Sequence, residues 1–302
     1  MAVSRQSWLD TASALTAVML WGLAFPLIRI GLEDFSPVML AFLRFAVASA
    51  FLVGVILLRF TQREILTVLL REWKPLIALG VLYVTVPNVA QNIGLETGTS
   101  SIASVIQSSG PVMTLLFAVI LLKESMTIMK AVGTLVAVTG TVMLVARHGI
   151  SLGDEGFTGN LLLLLSATAY GLSWVSAKRM LQRNPPILVI TLSIILGTVL
   201  LGLVAPFEPD ASARFDERSA ANLAVLGVFC AGFSSVLYLR SLEKQEVSRM
   251  AFLIYLMPVF ASLFAWVLMS EKVEPWTALC GFVIVAGIAI ANRRTTATAV
   301  PR

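Results

Sequence analysis

The sequence predicts an all-α integral membrane protein with ten transmembrane helices, arranged as two inverted five-helix repeats. Three observations lead to this fold class. The 302 residues are 58% hydrophobic and only 13% charged, whereas soluble domains average about 45–50% apolar and about 25% charged residues. The apolar residues fall into ten long runs. The two halves of the chain also resemble each other.

The apolar excess is too large for an ordinary protein core, so much of the surface must face lipid. A bilayer core of about 30 Å requires roughly 20 apolar residues per helix. We expect the ten helices at 12–30, 37–58, 75–95, 101–122, 128–146, 159–177, 187–205, 221–241, 247–269 and 275–292. The first five helices form one predicted domain, 12–146, and the second five form another, 159–292. Short loops account for the rest of the chain and leave no room for a soluble domain.

The distribution of charge supports this helix count. With the N-terminus placed in the cytoplasm, 16 of the 22 Lys and Arg residues fall in inside segments, five fall in outside segments, and Arg44 lies within a helix. Cytoplasmic loops of membrane proteins carry such an excess of cations. We therefore expect both termini in the cytoplasm and a multi-pass protein of the cell membrane, plasma or inner. The net charge of +5 reflects this topology, and we expect the lipid bilayer as a partner and no nucleic acid.

An internal repeat relates the two halves. Residues 79–147 overlay residues 226–294 with 19 identities in 69 positions, where about six are expected by chance. Upstream, a shift of 149 residues pairs Trp21-Gly22-Leu23 with Tyr170-Gly171-Leu172. Because each half has an odd number of helices, the second half must enter the membrane in the opposite sense. Inverted repeats are typical of secondary transporters, whose substrate sites lie between the repeats near the bilayer midplane.

Three motifs resemble those of the drug/metabolite transporter superfamily, EamA type. They are Trp21-Gly22-x-x-Phe25, the run from Pro37 to Arg44-Phe45, and a doubled Pro, Leu-Phe-Ala and Glu pattern that ends at Glu124 and Glu271. The resemblance covers essentially the whole chain. It implies a ten-helix permease with a central cavity lined by the first, third, fourth, sixth, eighth and ninth helices. It also implies export or exchange of amino acids or related metabolites.

Polar side chains within the apolar runs are candidates for lining this cavity, because polar groups in hydrocarbon must find partners or water. One set comprises Asn88, Gln91, Asn92, Gln107 and Ser108, and the repeat counterparts of Gln91 and Ser108 are Tyr238 and Tyr255. The alternative is hydrogen bonding between helices, worth about 0.6 kcal/mol per bond. We favour the cavity for the amides, whereas for the serines helix packing is an equally good explanation.

Aromatic residues and one arginine complete the candidate site. Trp21, Phe25 and Trp174, together with Tyr170, occupy matching repeat positions and form either an aromatic wall for a flat or cationic substrate or ordinary packing. Arg44 either binds a substrate carboxylate or has a fixed structural role. We favour the structural role, because the EamA-type pattern carries an Arg there across many presumed substrates.

Transport is the function that these features favour. The leading hypothesis is a secondary transporter that exports amino acids or similar metabolites by alternating access, with an importer or a multidrug efflux protein as the alternative and a channel or non-transport membrane protein as a different class. An enzyme is disfavoured because the chain has no HExxH, GxGxxG or P-loop. We expect no cofactor, no metal and no catalytic residue, and a small-molecule substrate for a monomer or homodimer. Glu124 and Glu271 lie beside Lys123 and Lys272 at helix ends, which favours surface ion pairs over proton coupling.

Overall fold

The computed structural model describes residues 5–97, 109–146, 157–208, 211–269 and 275–291, and these ranges are almost entirely helical. We number the helices α1 (Arg5–Gly31), α2 (Pro37–Leu57), α3 (Gln62–Gly80), α4 (Val86–Thr97), α5 (Gly110–Leu122), α6 (Ile128–Ala146), α7 (Phe157–Leu181), α8 (Pro186–Val204), α9 (Glu217–Ala224), α10 (Ser234–Lys244), α11 (Val247–Ile254), α12 (Met257–Met269) and α13 (Pro275–Ala291). A π-helical segment, Val81–Thr85, joins α3 to α4, and another, Val225–Phe233, joins α9 to α10.

Helix length and composition identify the chain as a multi-pass membrane protein. Among the described residues, six helical stretches are long and apolar enough to cross a bilayer: Leu9–Gly31, Pro37–Leu57, Leu161–Leu181, Pro186–Phe207, Glu217–Lys244 and Val247–Leu268. Shorter apolar helices cover Gly110–Leu122, Ile128–Gly140 and Leu279–Ala291. Many large apolar side chains on these helices are exposed, as Phe282 is at 72%, and lipid can cover such a surface where water would not.

The third predicted helix begins earlier than its apolar run. Helix α3 begins at Gln62 because Thr61 and Glu64 form a capping box, in which the Thr61 hydroxyl accepts from the Glu64 N–H and the Glu64 carboxylate accepts from the Thr61 N–H. The helix kinks at Glu72, where φ is −113° and ψ is 18°. Pro75, expected at a helix start, therefore lies inside α3, one turn beyond the kink.

The ninth predicted helix is two helices. Helix α11 ends at Ile254 and helix α12 begins at Met257, so Tyr255 and Leu256 form a turn between them. Pro258 explains the break, because it has no N–H to pair with the carbonyl of Ile254 four residues earlier.

Glycines allow the helices to approach each other closely. A Cβ atom on Gly80 of α3 would lie 2.7 Å from the backbone oxygen of Ser193 in α8, and one on Gly227 would lie 2.8 Å from the backbone oxygen of Arg44 in α2. Similar contacts join α1 to α12, α5 to α7, and α6 to α13; they are Gly22 with Phe260, Gly171 with Met113, Gly140 with Ile284, and Gly287 with Ala137. Small residues at such crossings are the usual means by which membrane helices pack.

Candidate functional site

A cavity lies between helices drawn from both halves of the chain. Its volume is about 120 Å³, measured as the space open to the centre of a water molecule. That space corresponds to roughly ten water-sized positions. The lining consists of Trp21, Ala24, Phe25, Ile28, Arg44, Phe45, Tyr83, Asn88, Gln91, Gly110, Pro111, Thr114, Ala167, Tyr170, Trp174, Cys230, Ala231, Ile254 and Met257. Most of these side chains are apolar or aromatic, and Arg44, Asn88 and Tyr170 form a hydrogen-bonded polar wall among them, a mixture that is typical of ligand pockets.

The polar wall is built around the buried amide of Asn88. Pro87 lacks the N–H that would pair with the carbonyl of Tyr83. The Asn88 amide nitrogen donates to that carbonyl at 3.2 Å and to the carbonyl of Val84 at 2.7 Å. Because the nitrogen is committed to the backbone, the amide oxygen Oδ1 faces the opposite direction. It accepts hydrogen bonds there from Arg44 Nη2 and from the Tyr170 hydroxyl, the latter at 3.2 Å.

Arg44 is the one charged side chain among the described residues that line the cavity. Its guanidinium carbon lies 4.6 Å from the centre of the Phe45 ring, a cation–π contact. Its Nη2 donates to Asn88, while its Nε is buried and meets no hydrogen-bond partner among the described residues. No carboxylate in the described ranges forms an ion pair with it. A guanidinium buried in this way retains donor capacity for an anion.

Four aromatic rings pack into a cluster beside the polar wall. The Trp174 ring centre lies 5.5 Å from that of Trp21, 5.1 Å from that of Tyr83 and 4.6 Å from that of Tyr238. The Tyr83 hydroxyl also shares a 2.6 Å hydrogen bond with Ser235 Oγ. The cluster therefore joins the first half of the chain to the second. Three of its rings line the cavity, and Tyr238 lies behind them, fully buried.

The family model that matches this sequence is the EamA-like transporter family, over residues 11–146 and again over residues 157–293. The chain belongs to the EamA-like transporter family. Relatives at full length are also transporters by name. A protein of Archaeoglobus fulgidus called "Uncharacterized transporter" is 29% identical over 96% of this chain and 99% of its own length. A protein of Streptantibioticus cattleyicolor called "Probable terminal-alkyne amino-acid exporter" is 27% identical over 98% of this chain and 96% of its own length.

The fold of this EamA-like chain also occurs in a solved crystal structure. The two superpose with a TM-score of 0.83 at 22% sequence identity, covering 96% of this chain and 97% of the other. Family membership and the names of the relatives identify the chain as a membrane transporter and not an enzyme. Within the described residues, no three His, Cys, Asp or Glu side chains converge as a metal site, and Cys230 and Cys280 are buried.

The structure brings together only some of the residues predicted for the EamA-type cavity. Trp21, Phe25, Arg44, Asn88, Gln91 and Trp174 line it. Asn92 does not, because its amide donates at 2.7 Å to the carbonyl of Pro37 and joins α4 to α2. Tyr255 is not among the lining residues either, and it lies in an apolar cluster with Leu115 and Phe252. Gln107 and Ser108 lie outside the described residues.

Tyr83 was absent from the predicted site, and the Tyr170 hydroxyl was not recognised as a polar group of the cavity. A signal for Tyr83 was available, because Tyr83, Pro87 and Gln91 recur every four residues and thus share a helical face. The π-helical segment Val81–Thr85 adds one residue to the turn there and directs the ring of Tyr83 towards Trp174. The helices implied by the family resemblance all contribute to the lining, and α2 adds Arg44 and Phe45.

Proposed function

We propose that this protein is a secondary transporter that moves small metabolites by alternating access, and that it exports amino acids or related compounds. The observation that carries the proposal is the cavity, because helices of both halves supply its walls. Its described lining combines one charged side chain with amides and aromatic rings, and this combination suits a small organic solute. The printed name of the Streptantibioticus cattleyicolor relative supports export of amino acids as the physiological direction and substrate.

Ten membrane-spanning helices in two inverted repeats, 12–146 and 159–292, form the second part of the proposal. Its support is a set of reciprocal contacts between the two halves of the chain. Gly80 lies against Ser193 and Gly227 lies against Arg44, and the sequence repeat pairs Gly80 with Gly227 and Arg44 with Ser193. A contact from the first half to the second thus recurs from the second half to the first, as a two-fold axis between the halves requires.

Two further pairs of contacts show the same exchange. The contact of Gly22 with Phe260 corresponds to that of Gly171 with Met113, and the contact of Gly140 with Ile284 corresponds to that of Gly287 with Ala137. With five helices in each repeat, the two-fold axis lies in the membrane plane, the arrangement in which one half rocks against the other. The cation distribution supports cytoplasmic termini in the plasma or inner membrane.

Counterflow in proteoliposomes tests the transport proposal. Vesicles containing the purified protein are loaded with an unlabelled amino acid, diluted into a trace of the labelled compound, and followed for transient accumulation across a panel of amino acids and metabolites. A carrier accumulates label above equilibrium, and a channel only equilibrates it. Trp174→Ala in the cavity should reduce the rate, whereas Trp73→Ala, at a residue that is 49% exposed, should not. Absence of counterflow for every compound would exclude a carrier for these solutes.

The direction of transport requires a separate measurement. Cells that overproduce the protein and contain a raised internal amino-acid pool should release that amino acid into the medium faster than cells producing Trp174→Ala. Accumulation of external amino acid without faster release would identify an importer. Release of structurally unrelated drugs at equal rates would identify a multidrug efflux protein.

A further inference from the structure

We propose that the cavity recognises its solute by a single carboxylate bound to Arg44, and that it has no dedicated site for an amino group. The inference rests on the proposed transport function and specifies its substrate class. The expected ligands are organic monocarboxylates with a flat apolar or aromatic body. Amino acids belong to this class through their carboxylate, and the corresponding acids without an amino group should bind equally well.

The unmet donor capacity of Arg44 is the first argument. A guanidinium has five N–H donors, and here Nη2 donates to Asn88 Oδ1 while the buried Nε has no partner in the described part of the chain. The described residues place no carboxylate within ion-pair distance of it. An uncompensated charge within hydrocarbon is strongly unfavourable. A ligand anion would therefore supply the counter-ion that the described residues do not provide.

The geometry of the guanidinium favours a carboxylate. The planar fork of an arginine presents two parallel N–H groups that match the two oxygens of a carboxylate. Asn88 accepts from Nη2 and thereby fixes the plane of the fork. Only one positive charge lines the described cavity, so a monoanion neutralises the site, whereas a phosphate with a charge near −2 leaves it negative.

The second argument is the shortage of hydrogen-bond acceptors in the site, because an ammonium group would need acceptors. The described residues that line the cavity include no Asp or Glu, and the Gln91 amide among them is uncharged. The Asn88 oxygen already accepts from Arg44 and Tyr170, and the Asn88 nitrogen is directed at backbone carbonyls. An ammonium group would therefore lie near a guanidinium of like charge without a carboxylate to offset the repulsion.

The shape of the remaining walls indicates the body of the ligand. Trp21, Phe25, Tyr83 and Trp174 present aromatic surface to the cavity, and aromatic or aliphatic groups pack well against such surfaces. The volume of about 120 Å³ accommodates a solute of roughly ten non-hydrogen atoms. Phenylalanine, 3-phenylpropionate and phenethylamine are suitable probes, because they share one body and differ only in the two polar groups.

Tryptophan fluorescence of the purified protein tests the inference without any substitution, because Trp21 and Trp174 line the cavity. We expect 3-phenylpropionate to bind within about threefold of phenylalanine and phenethylamine to bind at least about tenfold more weakly. Binding of phenethylamine as tight as that of phenylalanine would overturn the inference. So would failure of 3-phenylpropionate to bind, or tighter binding of phenyl phosphate than of either acid.

Variants of Arg44 locate the recognised group. Arg44→Lys retains the charge but loses the fork, and we expect about tenfold weaker binding of both acids with no change for phenethylamine. Arg218→Gln is the matched control, since Arg218 is exposed and pairs with Glu33, and it should bind all probes as the native protein does. Equal affinity of Arg44→Lys and native protein for both acids would also overturn the inference. If a variant does not fold, the binding of the three probes to the native protein still tests the inference.

The inference and the transport proposal fail in different ways. Counterflow of phenethylamine at the rate of phenylalanine would leave transport standing and exclude carboxylate recognition. Binding of 3-phenylpropionate with no counterflow of any solute would leave recognition standing and exclude the carrier. Absence of both binding and counterflow would exclude both.

Discussion

The carboxylate of Glu124 accepts hydrogen bonds from both the backbone N–H and the hydroxyl of Ser248, with Oε2 3.1 Å from the nitrogen and 2.5 Å from Oγ. Its other oxygen accepts from the N–H of Val247 at 2.7 Å. A side chain that follows α5 thus caps the first turn of α11, where unpaired N–H groups and the helix dipole favour a negative charge. The expected pairing with Lys123 is replaced by this cap, because Lys123 adopts φ 56° and turns the chain as α5 ends.

Replacing Glu124 by Gln should destabilise this junction. Glutamine has the same shape, but one of its two oxygens becomes an amide nitrogen that cannot accept from Ser248 or Val247. We expect a loss of about 1–2 kcal/mol of stability, measured as a lower thermal unfolding midpoint in detergent. Glu33→Gln is the control, since Glu33 is exposed and makes a 3.4 Å ion pair with Arg218. Equal midpoints for both variants would show that the cap does not stabilise the fold.

Adding one methyl group to Gly80 should destabilise the protein, whereas adding one to Gly54 should not. On Gly80 the new Cβ would lie 2.7 Å from the oxygen of Ser193 and 2.9 Å from the nitrogen of Gly197, and backbone atoms cannot move aside. We expect Gly80→Ala to lose about 1–3 kcal/mol. On Gly54 the Cβ would meet nothing within 4 Å, and the better helix propensity of Ala could add up to about 1 kcal/mol.

Thermal unfolding in one detergent compares the two alanine variants directly. Gly227→Ala serves as a third sample, because its Cβ would lie 2.5 Å from that of Val47 and 2.8 Å from the oxygen of Arg44. If the halves are related by a two-fold axis, its loss should be similar to that of Gly80→Ala. A Gly80→Ala protein as stable as Gly54→Ala would argue against the close crossing of α3 and α8.

Helical periodicity predicted which side chains share a face, but not which neighbour that face meets. Asn88 and Asn92 are one turn apart and similarly polar, yet one lines the cavity and the other binds the carbonyl of Pro37. The choice depends on the position of α2, which no spacing within α4 can reveal. The all-helical, apolar character of the chain could be predicted from local sequence because each apolar run is continuous along the chain.

Departures from regular helix geometry account for the remaining differences. Repeat alignment paired Tyr255 with the cavity candidate Ser108, but Tyr255, in the turn that follows α11, lies in an apolar cluster. The π-helical segment around Tyr83 has the opposite consequence and brings an overlooked ring into the site. Single-turn irregularities rotate every subsequent side chain, so they change a site more than they change a fold.

The cap of α9 should produce a pH dependence of stability. A hydrogen bond from the Ser219 backbone lowers the pKa of Asp216 below its usual value, with Oδ1 2.7 Å from the Ser219 nitrogen. A lowered pKa in the folded state means that the carboxylate stabilises the fold above its unfolded pKa of about 4. This stabilisation is lost as the pH falls through the folded pKa. Asp216→Ala should therefore unfold at a lower temperature than native protein, with the gap narrowing below about pH 4.

Asp216→Asn provides the control for that titration, since asparagine caps a helix without a titrating group. The gap in unfolding midpoint between Asp216→Asn and Asp216→Ala should stay constant from pH 6 to pH 3. A gap between native protein and Asp216→Ala that widens on acidification would contradict the direction of the pKa shift.

Removing the amide of Asn88 should be far more damaging than removing the hydroxyl of Tyr170, although both belong to one network. Asn88→Ala leaves the carbonyls of Tyr83 and Val84 without their donor and leaves the guanidinium of Arg44 without its acceptor. Unpaired buried polar groups cost about 1–3 kcal/mol each. We expect Asn88→Ala to lower the unfolding midpoint and to abolish counterflow, because Arg44 is no longer held in place.

Tyr170→Phe keeps the ring and removes one 3.2 Å hydrogen bond to Asn88 Oδ1, so its expected loss is about 0.5–1.5 kcal/mol. Because Arg44 remains bonded to Asn88, counterflow should persist in this variant. The two variants measured side by side separate the positioning of Arg44 from general destabilisation of the cavity. If Tyr170→Phe abolished counterflow while Asn88→Ala retained it, the hydroxyl and not the amide would be the group that organises the polar wall.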